Sequence, residues 1–325
     1  MLGVVGALLL AGFGLYAQAR LAGSAQARAR TTDVVSSLPF FGSTPTPTPK
    51  PPPDSYPVAV QTSEVPNGVV AGACLAFNPT GVDLHHTFFI DPGHGGPDPG
   101  ATAGSVQEKD LSLAVALQLK DQLRADGYRV VLARTADTSV AKLAASQVQN
   151  GVLTNSGVHL DALARIACAN ASHAEALVSI HFNAFNDPGV GGQETYYDDA
   201  RDFAGDNLRL AKLLQSSLQA SFNKAGWQVP DRGVLSDAST GNNGLTPEAD
   251  AYGRLLELGP TKAGWNDHPT TMPGALVEPF FVSDPVEAQV ASSPEGRRAI
   301  ASGIEQALIG FASVPAPSPS AAAGG

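Results

Sequence analysis

Two histidines and two glutamates stand in local frames suited to hydrolytic chemistry: His94 in FIDPGHGGPDPG, Glu108 in VQEKDLSL, His181 in VSIHFNA and Glu278 in ALVEPFF. His94, Glu108 and His181 together make a three-ligand set for an open zinc site. The free position on such a metal holds a water whose pKa falls to about 7. A further carboxylate beside it, Glu278, has the chemistry of a general base. Each residue also has an ordinary reading. His94 lies among Gly93, Gly95 and Gly96, where the backbone can approach a bound group. A phosphate loop is the competing use, but the G-K-[ST] of a Walker A loop is missing. Glu108 opens a helical stretch, where a glutamate serves the helix dipole. His181 directly follows an apolar run, a place that core histidines take as well as metal ligands. Glu278 interrupts ALV and FF, and a buried carboxylate needs a partner or a use for a raised pKa. Glu194, in GGQETYY, is a reserve candidate for acid–base work. His85, His86, His159, His173 and His268 have no comparable frame and read as surface or structural.

The elements around these residues alternate. Phe88-Phe89-Ile90 is a short apolar run closed by Asp-Pro-Gly, a buried strand ending in a loop. Leu111, Val115, Leu119 and Leu123 recur every four residues, which predicts a helix over 108–126 with Gly127 as its C-terminal cap. YRVVLA (128–133) is a second strand, so strand, helix and strand form a parallel crossover. Further helices are expected over 159–174, 204–224 and 295–311, and strands over 176–181, 254–258 and 275–281. This is an α/β pattern: a mostly parallel sheet of about six strands with helices on both faces. Sites in such sheets lie at the carboxyl ends of strands, where His94, His181 and Glu278 fall. Residues 137–157 and 236–252 fit neither strand nor helix and read as inserted loops, functional or disordered at that length.

The chain has 325 residues and a net charge of −10, which argues against a nucleic-acid partner. Steady apolar periodicity runs through the middle and C-terminal parts only. The expected layout is therefore a transmembrane or signal segment (1–20), a Pro/Thr-rich linker (21–57), one catalytic domain (58–313) and a disordered tail (314–325). Residues 2–16 are almost wholly apolar and the run stops at Arg20, so it just reaches the ~17–20 residues that span a bilayer, while Ala17-Gln18-Ala19 resembles a cleavage site. The spacer TPTPTPKPPP favours extended polyproline II. Membrane segment, spacer and domain together describe an exported enzyme held at the membrane or secreted. The two cysteines, Cys74 and Cys168, leave two alternatives, one bridge or two buried thiols.

At these residues the chain resembles the zinc-dependent N-acetylmuramoyl-L-alanine amidases of bacterial cell walls, the amidase-3 family. FIDPGHGGPDPGA, QEKDLSLAVALQL, VVLARTAD, LARIACANASHAEALVSIHFNAF, GGQETYY, DRGV and ALVEPFFVSDPVEA follow one another in family order. The resemblance implies Zn2+ on His94, Glu108 and His181, with Glu278 as the catalytic glutamate. It implies hydrolysis of the amide between N-acetylmuramic acid and L-alanine, with peptidoglycan as substrate. Pro279-Phe280-Phe281 departs from the Leu-Gly-Phe usual after the glutamate. Relatives with an inserted segment over the zinc make 236–252 a candidate lid, with a solvated loop as the alternative. Competing functions are a non-catalytic wall-binding or regulatory protein on the same fold, and a zinc amidase or peptidase of another bond.

Overall fold

The structure is a computed structural model, and it describes residues 54–61, 65, 67–240 and 247–313. Eight strands form one sheet: β1 (Ser55–Pro57), β2 (Ala73–Phe77), β3 (Thr87–Pro92), β4 (Arg129–Arg134), β5 (Ala176–Ile180), β6 (Gln193–Tyr197), β7 (Asp231–Ser236) and β8 (Gly274–Glu278). Their order across the sheet is β1-β2-β4-β3-β5-β8-β6-β7. The central strands β4, β3, β5 and β8 run parallel, and β6 pairs parallel with β7 but antiparallel with β8. β1 and β2 add an antiparallel edge. The sheet is thus α/β and roughly parallel, with eight strands where about six were expected.

Alternation within the strands builds two apolar layers. Phe88, Ile90, Val130, Leu132 and Val178 face one side. There they meet Leu111, Val115, Leu119 and Leu123 of α1 (Glu108–Ala125), Leu210, Leu214 and Leu218 of the third helix (Ala204–Lys224), and Ile300, Ile304 and Leu308 of the last (Pro294–Ala312). Phe89, Val131, Ala133 and Leu177 face the other side and meet Ala164, Ala167 and Cys168 of α2 (Asn155–Ser172). Strands buried on both faces read as continuous apolar runs, which is why the central ones were legible. Gly127 takes φ 96° after α1, as its capping role requires.

Three expectations change. Residues 254–258 are turns, not a strand: Leu258 and Gly259 both donate to the Leu255 carbonyl, at 3.2 and 2.9 Å. α2 begins at Asn155, four residues early, because the Thr154 hydroxyl accepts from Gly157 N at 3.3 Å and caps it. The stretch 137–157 is ordered: Val140 and Ala141 are fully buried, and their amides both donate to Asp161 Oδ1. Within it, Val148–Gln149 and Val152–Leu153 form a two-residue hairpin around Asn150-Gly151, both with positive φ.

Cys74 of β2 and Cys168 of α2 are bridged, with Cα atoms 5.6 Å apart. The bridge ties the antiparallel edge to the helix under the second face. The expected membrane segment, most of the linker and the C-terminal tail lie outside the described residues. Among the described residues no helix is long and apolar enough to cross a membrane.

Candidate metal centre

The carboxyl ends of the parallel strands bring the four residues to one place. His94 follows β3, Glu108 is the first residue of α1, His181 follows β5 and Glu278 ends β8. His94 Nε2 and Glu108 Oε1 are 3.0 Å apart, His181 Nδ1 and Glu108 Oε1 2.9 Å, and His181 Nδ1 and His94 Nε2 3.1 Å. A tetrahedral zinc with ligands near 2.0–2.1 Å sets its donors about 3.3 Å apart. Two imidazoles and a carboxylate in so tight a triangle fit that ion, and they form the metal-type cluster found among the described residues.

Glycines make the approach possible. A side chain at Gly93 would run into the His181 ring, and one at Gly100 would come within 2.6 Å of Glu108 Oε2. The donors are oriented from behind. Asp98 Oδ2 lies 2.7 Å from His94 Nδ1, which leaves Nε2 to face the other two donors. Glu108 Oε2 accepts from Ala101 N at 2.7 Å, and its Oε1 from Phe182 N at 2.9 Å. Burial opposes the His94 imidazolium, but the charges of Asp98 and Glu108 outweigh it and hold the ring well above the ordinary histidine range. Burial likewise opposes the Glu108 carboxylate, and His94 and His181 outweigh it in holding Glu108 down.

Glu278 differs in kind. It is 2 % exposed, and its Oε2 is buried without a hydrogen-bond partner. Burial first, then the charges of Glu108 and Glu194, push its carboxyl well above the usual range. A buried acid with an unused oxygen beside a metal triangle is equipped to move a proton.

A family model described as N-acetylmuramoyl-L-alanine amidase matches residues 88–309. The chain belongs to that family. A germination-specific N-acetylmuramoyl-L-alanine amidase of Bacillus subtilis is 28% identical over 69% of this chain and 78% of its own length. The CwlD amidase of Clostridioides difficile, solved in complex with the GerS lipoprotein, shares 26% identity and a TM-score of 0.54, covering 71% of this chain and 100% of that one. An N-acetylmuramoyl-L-alanine amidase of Clostridium difficile 630 shares 27% identity and a TM-score of 0.50, covering 70% of this chain and 97% of that one. The expected amidase identity is therefore borne out, and with it the α/β fold.

In this amidase Glu194 stands directly across from Glu278 in the β6–β8 register. Both its oxygens are committed: Oε1 accepts from Asn183 Nδ2 at 2.5 Å and from the Tyr196 hydroxyl at 2.8 Å, and Oε2 from Arg232 Nε at 2.7 Å. So Glu194 adds its charge to the field at Glu278, and both its oxygens already hold protein neighbours. Of the candidate lid 236–252, residues 241–246 lie outside the described residues, and Ala249 and Tyr252 lie beside the centre. Ala249, Tyr252, Leu256 and Trp265 share with Val158, His159 and His181 the lining of a recess of about 200 Å³. Sequence reasoning missed Asp98, Arg134 and Arg165. Asp98 had a signal, four residues after His94 in the same motif. The two arginines are tied to the loop by partners distant in sequence.

Proposed function

We propose that this amidase hydrolyses the amide joining the lactyl group of N-acetylmuramic acid to L-alanine in peptidoglycan, using zinc held by His94, Glu108 and His181. When bound there, zinc supplies Lewis-acid chemistry, polarising the scissile carbonyl and acidifying water. Asp98 keeps His94 in the tautomer that presents Nε2. The backbone amides of Ala101 and Phe182 keep the Glu108 carboxylate turned to the same point. Glu278 takes the proton of the attacking water and returns it to the departing alanine nitrogen. The observation that carries this reading is the donor triangle with the unpartnered Glu278 Oε2 among its neighbours.

The family supports the bond chosen, and the intact ligand set weighs against a non-catalytic binding protein. The reading places the chain outside the cytoplasmic membrane, held or delivered by its apolar N-terminal segment. A bridged Cys74–Cys168 suits an oxidising compartment. The test is zinc content and product analysis for the full chain and its Glu278→Gln variant. One zinc per chain in both, with stem peptides bearing a free L-alanine amine from the wild type alone, is expected. Reducing sugar ends, or peptides cut at another bond, would replace the assignment.

A further inference from the structure

His94 carries the metal donor on a backbone that a non-glycine residue avoids. Its φ is 61°, and Gly95 and Gly96 follow at 131° and 58°. The left-handed region costs a residue with a Cβ about 1–2 kcal/mol. Glycines flank His94 on both sides and loosen both neighbouring peptide planes; Gly95 N donates to the Asp98 carbonyl at 2.9 Å, and the two carbonyls need partners of their own. Two buried arginines from different elements hold them. Arg134, at the end of β4, is fully buried, and its Nη2 donates to the Gly93 carbonyl at 2.9 Å while its Nε donates to Pro92 O at 3.0 Å. Ser112 Oγ donates to the same Gly93 carbonyl at 2.8 Å. Arg165, on α2, is 4 % exposed, and its Nη2 donates to the His94 carbonyl at 2.6 Å while its Nη1 donates to Pro92 O at 2.9 Å. The Gly93 carbonyl fixes the plane that sets φ of His94. The His94 carbonyl fixes the plane that sets ψ.

We propose that Arg134 and Arg165 are positioning residues of the metal centre, each pinning one of the two peptide planes that aim His94 at the ion. The inference rests on the metal-dependent amidase reading above. The arginines are themselves fixed. Arg165 is paired with Asp91 Oδ1 at 2.6 Å and with Asp161 Oδ2 at 2.9 Å. Arg134 also reaches the Lys109 and Ala136 carbonyls, at 2.7 and 3.1 Å. The rigid guanidinium fork matters here, because each side chain must serve two separated carbonyls at once, which an ammonium on a flexible stem does poorly. An electrostatic role would have the opposite sign. A guanidinium near a dication repels it, so losing one would tighten metal binding, whereas losing a positioner weakens it.

The test is metal affinity and geometry in the full chain, for wild type, Arg165→Lys, Arg134→Lys and a control, Leu119→Ala, in the apolar core and eleven residues along α1 from Glu108. Zinc dissociation constants come from chelator competition, and the ligand field from the absorption spectrum of the cobalt-loaded protein. The lysine variants keep the charge, so the expected result is zinc binding weaker by about 10–100-fold with an altered cobalt spectrum. Leu119→Ala should lose thermal stability yet keep both metal readouts. Lysine variants that fold and bind with wild-type affinity and spectrum would overturn the proposal. So would a control that loses the metal to the same degree. If the lysine variants do not fold, Ser112→Ala decides: a several-fold weaker zinc constant supports pinning of the Gly93 carbonyl, and an unchanged one refutes it. A wild type that takes up neither ion removes the metal-dependent reading of the site, and this inference with it.

Discussion

Reducing the Cys74–Cys168 bridge should lower the melting temperature of the domain by about 8 °C, a figure that follows from the size of the loop it closes. The bridge spans 94 residues. Cross-linking a loop of that length removes chain entropy from the unfolded state worth about 4–5 kcal/mol at 25 °C. The ordered domain runs from Ser55 to the residue after Ala312, and unfolding entropy near 60 °C is about 2.1 cal/mol/K per residue. Dividing one by the other gives the shift. Both sulfurs are fully buried, so the native contacts survive reduction and the loss lies in the unfolded chain. The assay is calorimetry of the wild type with and without a strong thiol-free reductant, backed by the Cys74→Ala/Cys168→Ala pair. A shift below about 2 °C in both would refute the loop-entropy reasoning. The double variant has a second readout: with the loss confined to the unfolded chain, its zinc dissociation constant in the folded protein should match that of the wild type.

Glu278→Gln should leave zinc stoichiometry intact and lower kcat by about 100–10,000-fold, measured by release of alanine amines from purified peptidoglycan. Activity near wild type would end its acid–base assignment. Asp98→Asn should weaken zinc binding about 10–100-fold, read by chelator competition, because His94 Nδ1 loses its carboxylate partner. An unchanged constant would show that the loop alone orients the ring. Asp237 is buried beside Asp198 and Arg254, and burial together with the Asp198 charge raises its carboxyl to about 7. A carboxyl raised on folding contributes stability that is complete below its unfolded pKa near 3.8 and is lost as pH rises through about 7. The melting temperature of the wild type minus that of Asp237→Asn should therefore fall between pH 4 and pH 8. A flat difference across that window would mean that Asp237 titrates normally.

The candidate site was legible because each of its residues sits in its own short frame. His94, Glu108, His181 and Glu278 lie at strand ends or a helix start, and the topology of a parallel sheet brings such ends together. Beyond β1, a three-residue edge strand, the strands that escaped notice fall into two kinds. β6 and β7 are partly polar: GGQETYY carries Gln193, Glu194 and Thr195, all buried through side-chain hydrogen bonds rather than apolar contact. β2 is an apolar five-residue run at the antiparallel edge, a length that periodicity alone does not separate from a loop. The run 254–258 was misread for the converse reason. Its leucines pack against the sheet from a turn, with Arg254 drawn to Asp198, Asp199 and Asp237.

The scaffold behind the ligands was hidden because its pairs are long-range. Arg165 meets Asp91 across 74 residues and Arg134 meets Pro92 across 42. Nothing at either position announces a partner that far away. One local mark was present. In LDALARIACA, Asp161 and Arg165 stand four apart on a helix whose other residues are mostly apolar. An ion pair on the buried face of a helix is a poor stabiliser relative to well-packed apolar side chains, since desolvation offsets most of its attraction. Its presence there needs a use that packing cannot supply. Here the pair delivers a guanidinium to the carbonyl of a left-handed histidine, in a glycine-rich loop that Gly93 N and Gly95 N otherwise tether through the Ile180 and Asp98 carbonyls. The glycines that let the ligands approach also loosen the backbone behind His94, and the buried arginines add to the loop's own hydrogen bonds by holding its carbonyls.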